Sequence, residues 1–567
     1  MTRATSDFDA IVVGSGISGG WAAKELTERG LKVLLLERGR NVEHGKDYVT
    51  ESKAPWQLQY RGKVPEDLVS EQYATQSKCY AFSAATKRFF VKDSETPYHT
   101  PDARPFHWFR GYQLGGRSLT WHRQSYRLSD IDFGANKLDG HGVDWPIRYK
   151  DIARWYDHVE LFAGISGSVE KLPQLPDSKF QSPMAMNCVE KSMKKKIEAT
   201  FPGRKLIIGR TAHLTEPTDE QLKLGRGRCQ YRDECQRGCS FGAYFSSLSA
   251  TLPAARNTGN LTTVTDAIVE SVAYDKTSGR ASGVRVVDAH TRERREYGAK
   301  LVFLCASALG TTQILLNSRS ERFPNGLAND SDTLGRYLMD HVGIDMSGGI
   351  PGFSDQYYAG RRPNGVYVPR YRNVTERDNR FVRGFGFQGE ALRRHWNLFA
   401  NTDGIGVELK AKLRQPGPWF FFMSGFGEML PYKHNRVWLD SNRKDQWGIP
   451  YLNIDCTHGD NERAIVKAIV EDGKAMLEEA GLTNVNALGD THPPGSMIHE
   501  MGTARMGHDP KTSVLNKFNQ AHDVPNLFVT DGACMTSSAC QNPSLTYMAL
   551  TARASHAAAD MLAEGRL

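Results

Sequence analysis

The sequence has no apolar run long enough to span a membrane; its longest candidate, residues 301–309, has the length of a buried strand. The opening Met1-Thr-Arg-Ala-Thr-Ser-Asp7 has no hydrophobic core and runs directly into a strand, so no signal peptide of its own is expected. Neither sign of charge dominates. Lys and Arg number 72 against 64 Asp and Glu, and the resulting +8 is spread along the chain as a solvated surface. The one basic triplet, Lys194-Lys-Lys196, falls in an amphipathic helical pattern, so no nucleic-acid partner is expected. Cysteine is scarce, with nine residues, and only three of them are clustered. A length of 567 residues exceeds a single typical core and predicts two large structural regions.

What is present begins at Asp9-Ala-Ile-Val-Val13, an unbroken apolar strand of the kind parallel sheets bury. It leads into Gly14-x-Gly16-x-x-Gly19, a helix through Ala22, Ala23 and Leu26, a turn at Gly30 and a second strand ending on Glu37. Gly14 permits the tight turn, Gly16 lets backbone approach a pyrophosphate, and Gly19 allows close helix–strand packing. The helix N-terminus receives the phosphates, and an acid about 20 residues on accepts the ribose hydroxyls. This unit predicts dinucleotide binding without separating FAD from NAD.

Residues 40–105 read as loops and short helices, followed by Gly115-Gly116-Arg-Ser118-Leu-Thr120-Trp, a backbone surface that a flat or anionic ligand can approach. Ile152, Trp155, Tyr156, Val159 and Phe162 at helical spacing, ended by Gly164, predict a core helix. Residues 166–245 look like an excursion from the nucleotide domain, and 260–287 read as a β-meander. A strand at 300–310 turns into a helix ending at Asn317. From about 326 to 490 the pattern changes to longer alternating strands and a helix over 460–480, which predicts a second domain with an antiparallel sheet and helices. The chain then returns through Asn526-Leu-Phe-Val-Thr-Asp531-Gly532, and Pro543 opens a last helix. The fold class is α/β (α+β overall): a discontinuous Rossmann-like domain over 1–325 and 491–567, with 326–490 as the substrate domain.

Four separated blocks resemble the glucose–methanol–choline (GMC) flavoprotein oxidoreductases. They are Gly14 to Gly19 with Glu37; Gly115-Gly116-x-Ser118; Ala306-Ser-Ala-Leu-Gly310-Thr-Thr-Gln; and His499-Glu-Met-Gly502-Thr with Asp531-Gly532 and Asn542-Pro543. The resemblance implies that Gly14, Gly16, Gly19 and Glu37 hold the ADP of FAD and that Val269 meets adenine. Gly115, Gly116 and Ser118 would lie under the flavin, with Asp531 and Gly532 at the pyrophosphate and ribityl chain. It assigns His499 and Asn542 as the active-site pair. Thr120 stands where some members carry a flavin-linking histidine, which implies non-covalent FAD, although His122 lies nearby. Gln388, Glu390 and Glu428 are polar residues of the second domain with the chemistry to bond hydroxyls.

Cys229, Cys235 and Cys239 form a C-x5-C-x3-C array in a polar loop with no apolar period. The spacing alone leaves an iron–sulfur cluster, a zinc site and a disulfide or free thiols open. Cys305, Cys534 and Cys540 read as small buried residues. The array resembles that of bacterial FAD-dependent sugar dehydrogenases, which implies a 3Fe-4S cluster. It also implies a small companion subunit, a cytochrome c acceptor and periplasmic export with the small subunit's signal; the bare N-terminus at face value says cytoplasm. The expected function is oxidation of a secondary hydroxyl of a sugar or glucoside, at position 3 of the ring. The alternatives are an oxygen-using pyranose or glycoside oxidase with structural cysteines, and a zinc-stabilised nucleotide-sensing protein.

Overall fold

The computed structural model describes residues 8–353, 363–393, 404–415 and 417–567. Strand Phe8–Val13 lies between Val33–Leu36 and the C-terminal part of Arg294–Leu304, parallel to both, with Ala10 opposite Val33 and Leu301. Leu261–Val264 extends the sheet beyond Val33–Leu36, and Leu527–Val529 flanks Arg294–Leu304 on the other side. The continuous apolar runs are explained by burial on both faces: Ala10, Ile11, Val12, Leu301 and Val302 are wholly inaccessible. Helix Ile17–Glu28 and the final helix Ser544–Ala563 belong to this half.

The N-terminal part of Arg294–Leu304 also pairs antiparallel with Arg280–Asp288, which pairs in turn with Ala267–Asp275. One long strand therefore belongs to two layers. The meander expected over 260–287 is accordingly shifted: Leu261–Val264 leaves it to become the parallel edge strand beside Val33–Leu36. Its half-exposed alternation is that of a sheet edge, which a period-2 pattern does not distinguish from a meander strand.

The second sheet is antiparallel, in the order Thr483–Leu488, His341–Ile350, Trp419–Glu428, Phe385–Arg393, Val366–Val368, Ile207–Ile208. Strand Trp419–Glu428 alternates buried and half-buried residues, and helix Asp460–Glu479 covers its inner face with Ile465, Ile469, Met476 and Leu477. Close approach of that helix depends on Gly425, where a Cβ would stand 2.2 Å from Ile469 Cγ2.

The division at 326 and 490 is crossed in both directions. Helix Cys188–Thr200, begun by a reciprocal Asn187–Glu190 capping box, buries Val189, Met193 and Ile197 in the second core, and Ile207–Ile208 supplies that sheet's last strand. The excursion 166–245 thus divides between the two halves, because Val366–Val368 would otherwise present an open edge. Conversely, the hairpin Arg436–Lys444 with Pro450–Asp455 packs Val437, Leu452 and Ile454 against Phe106, Trp108 and Leu309 of the first half. Among the described residues no helix is long and apolar enough to cross a membrane.

Candidate active site

A cavity of about 850 Å³ runs between the C-terminal ends of the parallel strands and the face of the second sheet. From the first half it receives Gly14, Gly16, Glu37, Val269, Asp531 and Gly532, and from the second Asp345, Gln388, Glu390 and Ser424. Strand ends of this kind are where open α/β sheets place ligands.

At one end helix Ile17–Glu28 points its N-terminus into the cavity, with no side-chain cap on Gly16 and no acid in its first turn. Its free N–H groups and dipole make an anion site. A Cβ on Gly14, whose φ is +93°, would stand 2.5 Å from the Cys305 carbonyl oxygen, and one on Gly19 would stand 1.7 Å from that of Gly14. Beside Gly16 there is open space, so backbone there is available to a ligand. Glu37 is buried and accepts hydrogen bonds from Ser15 N at 3.1 Å, Gly39 N at 2.9 Å and the Ser15 hydroxyl; burial raises its carboxyl pKa. Gly116, Ser118 and Thr120 line the cavity. Gly19 and Gly115 stand behind it and permit packing, Gly115 against Leu248. Asp531 accepts from Ala533 N at 3.0 Å and from Thr311 Oγ1, and burial pushes its pKa up to about 6.

At the other end His499 and Asn542 face each other, His499 Nε2 lying 3.4 Å from Asn542 Nδ2. Asn542 Oδ1 accepts from Gln388 Nε2. Pro543 is the N-cap of the final helix, so Asn542 stands just outside that helix and lines the cavity. The His499 loop is braced by Asp340, whose carboxylate accepts from His499 N at 2.9 Å and Met497 N at 3.1 Å. This bracing holds Ile498 at φ +68°, a left-handed conformation that a β-branched residue adopts only under constraint. Burial, reinforced by Glu500, pushes the Asp340 pKa up to about 7. Burial also holds His499 well below the ordinary imidazole range, with help from His341 and the Arg117 cation. His499 Nδ1 lies 2.8 Å from His341 Nδ1, and Arg117 forms a bidentate pair with Glu500 at 3.2 and 2.8 Å.

Asp340, His341 and the Arg117–Glu500 pair were not singled out from sequence. The available signal was Asp340-His341 at the mouth of an apolar alternating strand, where two polar residues need partners. Gln388 and Glu390 line the cavity as expected of hydroxyl-bonding residues. Glu428 does not: it is wholly buried in an ion pair with Arg383 Nη1 at 2.7 Å, so it is withdrawn as a substrate contact. His122 lines the cavity and stacks on Tyr80, whose hydroxyl donates to the Thr120 carbonyl at 3.1 Å. Cys305, Cys534 and Cys540 are buried.

Cys229, Cys235 and Cys239 are all unpaired thiols, and Cys235 lines the cavity. Burial pushes the Cys235 thiol up to about 12 and raises Cys229. Their sulfurs are not gathered as a zinc cage. Zinc ligands about 2.3 Å from the metal stand about 3.8 Å apart, whereas the one set of three such ligand atoms within 4.8 Å among the described residues is Glu25, His158 and His556. That set is a hydrogen-bonded cluster: Arg29 Nη1 donates to His556 Nδ1 at 3.2 Å, so His556 Nε2 carries the proton it gives to Glu25. Around the cysteine loop two buried guanidiniums have no carboxylate in an ion pair among the described residues. Arg226 bonds only the carbonyls of Phe162, Ala163 and Gly242, and Arg123 leaves Nε and Nη1 without partners.

A parallel sheet with an uncapped glycine-rich helix start, facing a buried histidine–amide pair across one cavity, defines a dinucleotide-binding oxidoreductase. The GMC oxidoreductase family profile matches residues 8–343 with its N-terminal part and 431–551 with its C-terminal part, and the chain belongs to that family. It is similar to the 2-methyl-1,2-propanediol dehydrogenase of Mycolicibacterium austroafricanum, 28% identical over 98% of this chain and 95% of that protein. The fructose dehydrogenase large subunit of Gluconobacter japonicus is 26% identical over 100% of both chains. A C-glycoside 3-oxidase of Microbacterium trichothecenolyticum is 29% identical over 54% of this chain and 55% of its own. Among solved structures, formate oxidase from Aspergillus oryzae shares the fold at a TM-score of 0.61, with 14% identity and 100% of both chains covered. The protein is an FAD-binding oxidoreductase acting on the CH–OH groups of sugars or alcohols.

Proposed function

We propose that the protein is the catalytic subunit of an FAD-dependent dehydrogenase that oxidises a secondary hydroxyl of a sugar or glucoside, at position 3 of the ring, to a ketone. His499 takes the hydroxyl proton on Nε2 while Asn542 donates to the substrate oxygen and holds it against the base. A neutral imidazole in this role contributes about 10²–10⁴-fold, and the burial that keeps His499 uncharged suits it to the task. Gln388 and Glu390 bond the neighbouring hydroxyls. FAD, when bound, supplies the hydride acceptor. The uncapped helix start, Gly14, Gly16 and Glu37 would hold its ADP half, with Val269 at the adenine. Gly116, Ser118, Asp531 and Gly532 would hold the rest, while Gly19 and Gly115 permit the packing. With Thr120 at the position of a linking residue, the cofactor is held without a covalent bond.

The observation that carries the dehydrogenase reading is the cysteine loop. Cys235 borders the same cavity as His499, and two buried guanidiniums at the cysteine loop, Arg123 beside Cys235 and Arg226 near Cys239, have no carboxylate in an ion pair among the described residues. A thiolate-ligated cluster is an anion that would answer both. Cys229, Cys235 and Cys239 would hold a 3Fe-4S cluster, which when bound would supply a one-electron exit toward a cytochrome c subunit. A small companion subunit accords with the relative named as a large subunit, and export to the periplasm would go with that subunit.

The visible spectrum of the purified protein, with iron and acid-labile sulfide analysis, tests this. Flavin bands on a broad iron–sulfur absorption and about three irons per chain are expected; flavin without iron, with peroxide formed in air, would establish the oxidase instead. His499→Ala should keep its flavin and lose turnover, and retained turnover would place the base elsewhere.

A further inference from the structure

We infer that His341 is a positioning residue that locks His499 in the Nδ1–H tautomer and so leaves Nε2 bare to receive the substrate proton. The inference rests on the reading of His499 as the base. It follows from where protons can sit in a buried chain of hydrogen bonds.

His341 opens the strand His341–Ile350, is wholly buried and does not border the cavity. Its Nε2 lies 2.8 Å from the carbonyl oxygen of Ala539. A carbonyl only accepts, so His341 Nε2 carries a hydrogen. The adjoining carboxylate of Asp340 is spent on the backbone N–H groups of Met497 and His499, and the Glu500 carboxylate on Arg117. The His341 ring thus stays neutral, as burial requires of an imidazole without an anion; its pKa is pushed down to about 4. A neutral ring protonated on Nε2 has a bare Nδ1.

That bare Nδ1 is 2.8 Å from His499 Nδ1. Two nitrogens at this distance need one hydrogen between them, and His499 is the ring left to provide it. His499 Nε2 therefore carries a lone pair. The far side demands the same tautomer, since Asn542 Nδ2 donates toward His499 Nε2 from 3.4 Å, with its Oδ1 already accepting from Gln388. The two imidazoles meet nearly perpendicular, at 82°, and Phe426 stands 6.1 Å from each ring centroid, which restricts rotation. Ala539 presents its carbonyl from a left-handed conformation, φ +53°, just as Ile498 presents His499. Backbone strain at both ends of the chain is consistent with a geometry held for function.

In turnover the substrate O–H bond breaks, its proton joins His499 Nε2, and the Nδ1–H bond to His341 stays in place. The imidazolium so formed leans on the lone pair of His341. With the opposite tautomer, Nε2 would meet the substrate already protonated and no base would be available.

Three variants of the full flavin-loaded chain test this: His341→Phe, which keeps the shape and removes both hydrogen bonds; His341→Gln, which offers one acceptor and one donor; and His499→Ala. Rates are measured with an artificial dye acceptor on D-fructose, D-glucose, methyl α-D-glucopyranoside and 2-methyl-1,2-propanediol. His341→Phe should lower kcat by about 10²–10⁴-fold with little change in KM or bound flavin, and His341→Gln should restore it to within about tenfold. Phe turning over like the parent, or Gln restoring nothing while fully flavin-loaded, would overturn the assignment. Side-chain spectra of protein labelled with ¹⁵N-histidine read the tautomer without any substrate. The resonance lost in His499→Ala should be that of an Nδ1–H ring in the parent; an Nε2–H ring there overturns the inference even if no sugar is turned over. Turnover surviving in His499→Ala would refute the base assignment instead.

Discussion

Replacing Arg117 by Met tests how the glycine loop is tied to the histidine loop. Arg117 reaches Glu500 with two N–H groups at 3.2 and 2.8 Å, and the Glu500 side chain is 2% exposed against 31% for Arg117. Removing one partner of a buried pair costs about 3–5 kcal/mol, because the other charge is left uncompensated. The exposed edge of Arg117 is on the cavity side, so the value expected for Arg117→Met is near 3 kcal/mol. Glu500→Gln leaves behind a cation that the cavity can hydrate, and should cost less. The double variant should fall within about 1 kcal/mol of the parent, a coupling of at least about 2 kcal/mol. Urea unfolding of the flavin-free chains, followed by tryptophan fluorescence and circular dichroism, measures all four corners of the cycle. Activity gives a second reading with a definite sign. After burial and His341, the Arg117 cation is what depresses the His499 pKa. Its removal lets that pKa rise, and since the base must be neutral, the acid limb of kcat/KM moves to higher pH. Arg117→Met within about 1 kcal/mol of the parent, together with an unmoved acid limb, would refute the argument.

In the unaltered enzyme the depressed His499 pKa should keep kcat/KM level to well below pH 6.5, the ordinary imidazole value; a fall beginning at neutral pH would contradict it. Gly19→Ala puts a Cβ 1.7 Å from the Gly14 carbonyl oxygen and should abolish flavin retention, measured as the ratio of flavin to protein absorbance. Gly425→Val drives Ile469 and its helix off the second sheet and should destabilise the chain by about 1–3 kcal/mol or more, while leaving the flavin spectrum unchanged. Cys235→Ser should remove iron but not flavin, so that the substrate still bleaches the flavin while dye reduction slows.

Those features set by local sequence were legible from it. The first strand, glycine turn, helix and Glu37 are consecutive; Gly14 and Gly19 each have a steric reason in the fold, while Gly16 leaves space for a ligand. The core helix at Tyr149–Ala163 and the helix at Asp460–Glu479 followed from the spacing of their apolar residues. His499 and Asn542 could be named, but not what orients them, because His341 and Gln388 come from strands 158 and 154 residues away in sequence. Glu428 shows the limit from the other direction. A polar residue on a strand reads alike whether it faces substrate or, as here, a buried arginine. That residues before 326 join the second sheet was not legible for a similar reason, since the two-residue strand Ile207–Ile208 has no periodicity to detect.

That small strand and its counterpart in the other sheet have a consequence for how the chain is made. The second sheet draws strands from residue 207 to residue 488, and the parallel sheet waits for Leu527 to settle beside Val302. Neither core can be completed while the chain is still emerging in order, and the usual sequence of one domain after another along a nascent chain is closed to it. Nearly the whole polypeptide must leave the ribosome before either sheet closes. In the interval the apolar strands around the cavity stand open, which is when the chain is most exposed to aggregation.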